Sequence, residues 1–361
     1  MKIICRFLLC IACCVVVINK PAAQASLVYH DANTFLLTGC GFKDADRYQR
    51  LPLRFKDSMR PYLWVLSQQS AGISIYFKTN SPTIAVKWKT GQLVHFPHVA
   101  ETLVRGVDLY AKENGTWYYA GVGRPTSQTN HEAVLAKNRD TSWKEFLLNL
   151  PMYETVDSVY IGIAAGFSIQ NLQESPFGKK KPIVFYGTSI LQGASAMRPG
   201  MAYPSLVARH LNRETINLGF SGNGLLETVI GQAMAEIDAS CYVVDCGPNL
   251  SPAQARERTL PFLQQLKASR PHVPILLVEN IIYPHARFDE AVRLKVDSVN
   301  RIFKDAYAAL KKQGMKDLYY LPADQLIGTD GEATVDGVHL TDLGFMRMAQ
   351  KMEEVLRKIL K

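Results

Sequence analysis

From Lys181 onward the chain alternates short apolar runs with longer amphipathic ones, and this rhythm constrains its fold more than any other feature. The runs are Ile183–Tyr186, Thr215–Leu218, Tyr242–Asp245, Pro274–Val278 and Leu318–Leu321. Each is too short for a helix and predominantly apolar, as a strand buried on both faces tends to be. Helical patterns lie between them. The last is opened by Thr341 as N-cap and carries Phe345, Met348, Ala349, Met352, Val355, Leu356 and Ile359 on one face. Strands and helices in alternation predict a parallel sheet covered on both sides.

Residues from about 45 to 175 follow another period. Ile73–Lys78, Thr83–Lys89 and Ser158–Ala164 are rich in β-branched and aromatic residues, and the first two largely alternate. Val107–Glu113 and Thr116–Val122 flank Asn114-Gly115, a strong hairpin signal because both turn positions require positive φ. Helical periodicity is nearly absent. Many short strands predict a sandwich or jelly roll. The change of period places a boundary near 176–181, giving an N-terminal domain over 26–178 and a second over 179–361.

Residues 1–25 read as a secretory leader. Lys2 and Arg6 precede the apolar stretch Phe7–Ile18, and Ala23-Gln24-Ala25 forms a small-x-small cleavage pattern. About 12 apolar residues fall short of the ~20 that span a bilayer, so the expectation is a secreted or periplasmic protein with no stable membrane insertion after cleavage near Ala25. Cleavage would remove Cys5, Cys10, Cys13 and Cys14, and with them a CxxC that is no redox or zinc motif. Cys40, Cys241 and Cys246 would remain as free thiols. The formal charge of +9 loses Lys2, Arg6 and Lys20 and no acid. What is left is an ordinary surplus without an arginine stripe, which argues against a nucleic-acid partner.

In an open α/β sheet, ligands bind beyond the carboxyl ends of the strands. There the sequence offers Gly187-Thr188-Ser189 after the first strand and Gly219-Phe220-Ser221-Gly222-Asn223-Gly224 after the second. Gly247-Pro248-Asn249 follows the third, and Asp336-Gly337-Val338-His339 precedes the last helix. These are parts for acyl transfer. A serine hydroxyl needs a base to take its proton, a histidine does this near neutral pH, and a carboxylate steadies the imidazolium. Amide donors can meet the developing oxyanion. Two alternatives stand beside this reading: Asn249 as a cap for the helix that follows, and Asp336 as a turn cap with His339 acting in a dyad. His285 sits in the loop after the fourth strand, whereas His95, His98, His131, His210 and His272 have no partner spacing. No HExxH or Cys/His cluster points to a metal or cofactor.

The four segments, in this order, resemble the blocks of the SGNH (GDSL-like) hydrolase family. Gly106-Val107-Asp108-Leu109-Tyr110 resembles the Gly-x-Asp-Leu-Tyr element of a subgroup with an N-terminal β-domain. The resemblance implies a flavodoxin-like parallel-sheet hydrolase domain preceded by an all-β, jelly-roll-like sandwich. It implies Ser189 as nucleophile, His339 and Asp336 as its partners, and the Ser189 amide, Gly222 and Asn249 as oxyanion donors. This chain has Gly-Thr-Ser-Ile where the family name has Gly-Asp-Ser-Leu. An α/β-hydrolase elbow needs a small residue where Leu191 stands, which disfavours that fold. The stretch from Gln192 to Tyr203 would border the cleft, with Gln192 and Arg198 as substrate-binding candidates. The implied activity is hydrolysis of O-acyl esters, acetyl above all, on carbohydrate. A lipid or thioester hydrolase and a non-catalytic carbohydrate-binding protein are the alternatives, and the oligomeric state is left open.

Overall fold

The computed structural model describes residues 26–91, 94–324 and 326–361, so the expected leader lies outside it. Among the described residues ten strands precede Lys181. They are β1 Leu27–Asp31, β2 Leu36–Thr38, β3 Ser74–Thr79, β4 Ile84–Thr90, β5 Val107–Glu113, β6 Thr116–Gly123, β7 Asn130–Ala136, β8 Lys144–Asn149, β9 Val156–Ala164 and β10 Ile169–Asn171. They form two antiparallel sheets, β1-β9-β4-β7 and β10-β3-β8-β5-β6, with β2 on β3. Phe77, Phe146 and Leu109 from one sheet share a core with Trp88, Val86 and Ile161 from the other, which makes the expected sandwich. Asn114 and Gly115 take φ of 49° and 80°, the two left-handed positions the hairpin demanded.

Two features of this half escaped the sequence pattern. β1 and β2 lie upstream of residue 45, and a helix, α1 Pro61–Ser67, interrupts the β region. Seven residues are too few to display a helical period, and Pro61 supplies the start by occupying the first turn, where no amide hydrogen bond is needed. Leu63 and Leu66 of α1, with Phe42, Leu51 and Phe55, pack into the core of the second half against Val184, Tyr186 and Leu218. A helix of one turn, α2 Glu101–Val104, follows β4.

The second half holds five parallel strands, β11 Ile183–Gly187, β12 Thr215–Gly219, β13 Cys241–Asp245, β14 Ile275–Val278 and β15 Leu318–Leu321. Their order is β12-β11-β13-β14-β15, the flavodoxin-like arrangement. Helices α3 Ser189–Gln192, α4 Tyr203–Leu211, α5 Thr228–Glu236, α6 Pro252–Ser269, α7 Glu290–Lys312 and α8 Asp342–Ile359 complete it. Alternate strand residues divide between two cores. Ile183, Phe185, Val243 and Leu276 meet α4 and α8, whereas Val184, Tyr186, Val244 and Leu277 meet α5, α6 and α7. Thr341 caps α8 as expected, its hydroxyl accepting the Gly344 amide at 3.3 Å. Cys241 and Cys246 are buried free thiols and Cys40 a half-buried one. Strand order reverses between β11 and β13, and the crevice beyond their carboxyl ends is where such sheets take ligands.

Candidate active site

Four loops deliver the expected residues to that crevice. Thr188 closes β11 and caps α3, its hydroxyl accepting the Ile190 amide at 3.3 Å. Ser189 therefore stands at the first turn of the helix. Its Oγ lies 3.0 Å from His339 Nε2, and His339 Nδ1 lies 2.7 Å from Asp336 Oδ2. Asp336 Oδ1 accepts the amides of Val338 at 3.0 Å and His339 at 2.7 Å. The three-residue spacing thus lets one Asp336 oxygen cap the turn while the other meets the His339 ring. Burial raises the Asp336 carboxyl, but bonds from the His339 ring and these amides outweigh it and hold the group at about 2. Asp336 is therefore ionised wherever the imidazole can act as a base.

The loop after β12 lies against β11, the strand that leads to Ser189. A Cβ at Gly224 would come 2.5 Å from the Gly187 carbonyl oxygen, so only glycine allows this approach. Gly222, at φ 68°, has open space where a Cβ would be. Asn249 Oδ1 accepts the Gly224 amide at 3.1 Å, which ties the loops after β12 and β13 together. The helix cap that was the alternative for Asn249 is filled by Ser251, which forms a capping box with Gln254.

Gln192 and Arg198, the two substrate-binding candidates, are both held by protein partners. Gln192 is fully buried. Its Nε2 donates to Gln69 Oε1 at 2.7 Å and to the Met152 carbonyl at 2.8 Å, and its Oε1 accepts the Ser221 amide at 3.0 Å. It fastens the loop after β12 to the β half. Buried Arg50 does the same, donating to the carbonyls of Gly219 at 2.5 Å and Leu66 at 2.5 Å. Arg198 Nη1 donates to Asp108 Oδ2 at 2.7 Å and to Tyr110 Oη at 2.6 Å, and its guanidinium lies over the Tyr119 ring. Asp108 is wholly buried and also receives Gly200 N at 2.9 Å and Asn149 Nδ2 at 2.7 Å. The Asp and Tyr of the Gly-x-Asp-Leu-Tyr element are thus a socket for the arm that follows Ser189. Neither set of contacts was legible in the sequence, because Gln69, Met152, Asp108 and Tyr110 lie in the other half.

Two further histidines reach the site's surroundings. His98 stacks on His339, with ring centroids 4.8 Å apart and planes at 28°. Space for a side chain at Gly337 is taken by His285, whose Nδ1 would lie 2.4 Å from a Cβ there. His98, Asp336 and His339 form a set among the described residues close enough to share an ion. The donor geometry does not fit one. Both His339 nitrogens are engaged, and face-to-face rings cannot converge their in-plane lone pairs on one tetrahedral centre.

A hydroxyl linked through an imidazole to a carboxylate, at the carboxyl edge of a parallel sheet, is the constellation of serine hydrolases. Residues 180–357 match the family model of the GDSL-like lipase/acylhydrolase family, and residues 27–169 match that of the GxDLY N-terminus of SGNH-hydrolase-type esterases. A Bacteroides ovatus protein described as a GDSL-like lipase is 39% identical, with a TM-score of 0.89 over 93% of this chain and 98% of its own. The chain belongs to the GDSL-like (SGNH) hydrolase family and is a carboxylic ester hydrolase by that membership. The salicylyl-acyltransferase SsfX3 of a tetracycline biosynthetic pathway shares the fold at 18% identity, with a TM-score of 0.72 over 94% of this chain and 96% of its own. A family two carbohydrate esterase from Clostridium thermocellum, in complex with cellohexaose, shares it at 12% identity, with a TM-score of 0.56 over 80% and 93%. No curated protein matches by sequence. No helix among the described residues is long and apolar enough to cross a membrane.

Proposed function

We propose that this chain is a secreted esterase that removes O-acyl groups, acetyl in the first place, from carbohydrate. The observation that carries the reading is the hydrogen-bonded line from Ser189 through His339 to Asp336. Ser189 Oγ attacks the acyl carbonyl as its proton passes to His339 Nε2, and Asp336 stabilises the imidazolium that forms. The Ser189 and Gly222 amides and the Asn249 side-chain NH2 receive the oxyanion. Because Asn249 Oδ1 is held by Gly224, its donor end is the one left for substrate. As the intermediate collapses, His339 returns the proton to the departing sugar oxygen. A water, deprotonated by the same imidazole, then releases the acid from the acyl-serine.

Carbohydrate as the alcohol is supported by the family two carbohydrate esterases that share the fold. A cavity of about 680 Å³ lies between the loops after β14 and β15; none of Ser189, Asp336 and His339 lines it, and it meets the Asp336–His339 turn through His285, which packs against Gly337. Its rim combines the exposed ring of Phe288 with Arg287, Asp324 and Thr329, an aromatic face with polar neighbours that suits a sugar ring. The apolar Ile282 and Ile327 on the same lining favour a second reading, in which the cavity takes a longer acyl chain. The deciding experiment measures acid release by the purified chain from acetylated oligosaccharides and from a series of esters of increasing acyl length. Acetate release from the glycans that vanishes in Ser189→Ala supports the reading. A preference for long acyl chains replaces it with the second, and full activity in Ser189→Ala removes the nucleophile. Loss of a triad nucleophile can cost about 10⁶-fold in kcat.

A further inference from the structure

We infer that the β half contributes a residue to the reacting centre: His98 is a positioning residue whose ring covers one face of His339. This rests on the reading of Ser189, His339 and Asp336 as the catalytic line. In-plane, the His339 ring is held at both nitrogens, by Asp336 and by Ser189. Those two bonds leave the ring free to rock about the axis that joins them, and only a group packed on a face can stop that motion. His98 lies there, 4.8 Å away and inclined by 28°.

The loop that carries His98 is anchored at several points. Val94 N donates to Glu154 Oε1 at 2.9 Å, and the Val94 carbonyl accepts from Arg105 Nη2 at 2.6 Å. The His98 carbonyl accepts from Ser195 Oγ at 3.0 Å. Ser195 adopts φ 71°, a left-handed conformation that costs a non-glycine residue free energy, so this clasp between the arm after the nucleophile and the His98 loop is kept against a local penalty. Behind His98, Phe96 packs against both the His98 ring and Tyr153, whose hydroxyl donates to the Ser189 carbonyl at 3.4 Å. The nucleophile and the face of its base are thus braced by one segment of the other half.

The stack has an electrostatic consequence as well. His339 gains a proton as the serine attacks, and an aromatic face within about 6 Å attracts a cation. The interaction strengthens as the transition state is approached, so it acts on kcat and not on substrate binding.

The test compares His98→Phe, which keeps an aromatic face, with His98→Leu, which fills similar space without one. Both are made in the full chain and assayed on 4-nitrophenyl acetate, with Ser189→Ala run in parallel. His98→Leu is expected to lower kcat about 10-fold, the mid-range of such an interaction, with KM within twofold of wild type. His98→Phe is expected to stay within threefold in kcat. Equal kcat in wild type and His98→Leu, a loss confined to KM, or a Phe variant as slow as the Leu variant would each overturn the role. Full activity in Ser189→Ala would instead remove the catalytic line itself, so the two failures are distinguishable.

Discussion

Replacing Arg198 by alanine tests what joins the two halves. Asp108 is completely buried, and the Arg198 guanidinium is the cation bonded to it, at 2.7 Å. Removing one member of such a pair leaves an uncompensated buried charge, which costs about 3–5 kcal/mol. Gly200 N and Asn149 Nδ2 still donate to the carboxylate, which places the expectation at the lower end. Residues 26–361 unfold with an entropy near 0.7 kcal/mol/K, so a loss of about 3–4 kcal/mol lowers Tm by about 4–6 °C. The assay is thermal unfolding of wild type, Arg198→Ala and Arg198→Lys, beside kcat/KM on an acetylated oligosaccharide and on a small chromogenic acetate. Lysine keeps a charge for Asp108 and is expected to recover part of the loss, though it cannot reproduce the contacts of the planar guanidinium with Tyr110 and Tyr119. Both substrates should lose activity in the same proportion, since the guanidinium acts by seating the arm after Ser189. A Tm within about 1 °C of wild type, the resolution of such a measurement, would refute the energetic reasoning. A loss confined to the oligosaccharide would return Arg198 to the substrate.

Two further outcomes are expected. Asn249→Ala should lower kcat by about 10²–10³ with little change in KM, as the loss of one oxyanion donor does; a rise in KM alone would make Asn249 a binding residue. Asp245 lies at the end of β13, where complete burial pushes its carboxyl up to about 7 against the opposing hydrogen bond from Tyr203. Between about pH 4 and 7 the unfolded chain gives up this proton while the folded chain keeps it, so stability falls as pH rises through that window and stays reduced above it. Asp245→Asn should therefore be more stable than wild type at pH 7.5 by up to about 4 kcal/mol, and the gap should close toward pH 4. Equal pH dependence in both proteins, followed by denaturant unfolding, would show that the carboxyl ionises normally.

The α/β half was legible because its signals are local. Five apolar runs became β11 to β15 with ends shifted by a residue at most, and Thr341 caps α8 where a threonine ahead of an amphipathic stretch predicted it. A strand buried on both faces is made mostly of apolar residues, and a cap acts on amides within one turn, so neither depends on distant partners. The same holds for Asp336 and His339, which meet across three residues. In the β half, α1 was too short to show its period, and β1 pairs with β9 more than a hundred residues away, a distance at which no pattern in the sequence marks the partner. The folded chain alone decides the fates of Gln192, Arg198 and His98. Each is a polar residue whose role is set by what the other half places beside it: a buried amide network for Gln192, the Asp108 socket for Arg198, the face of His339 for His98. Hydrogen bonds and ring stacks act over a few ångströms of space and are indifferent to separation along the chain. Sequence order therefore announced the family's blocks, and only the packing of one half against the other determined which neighbours brace them.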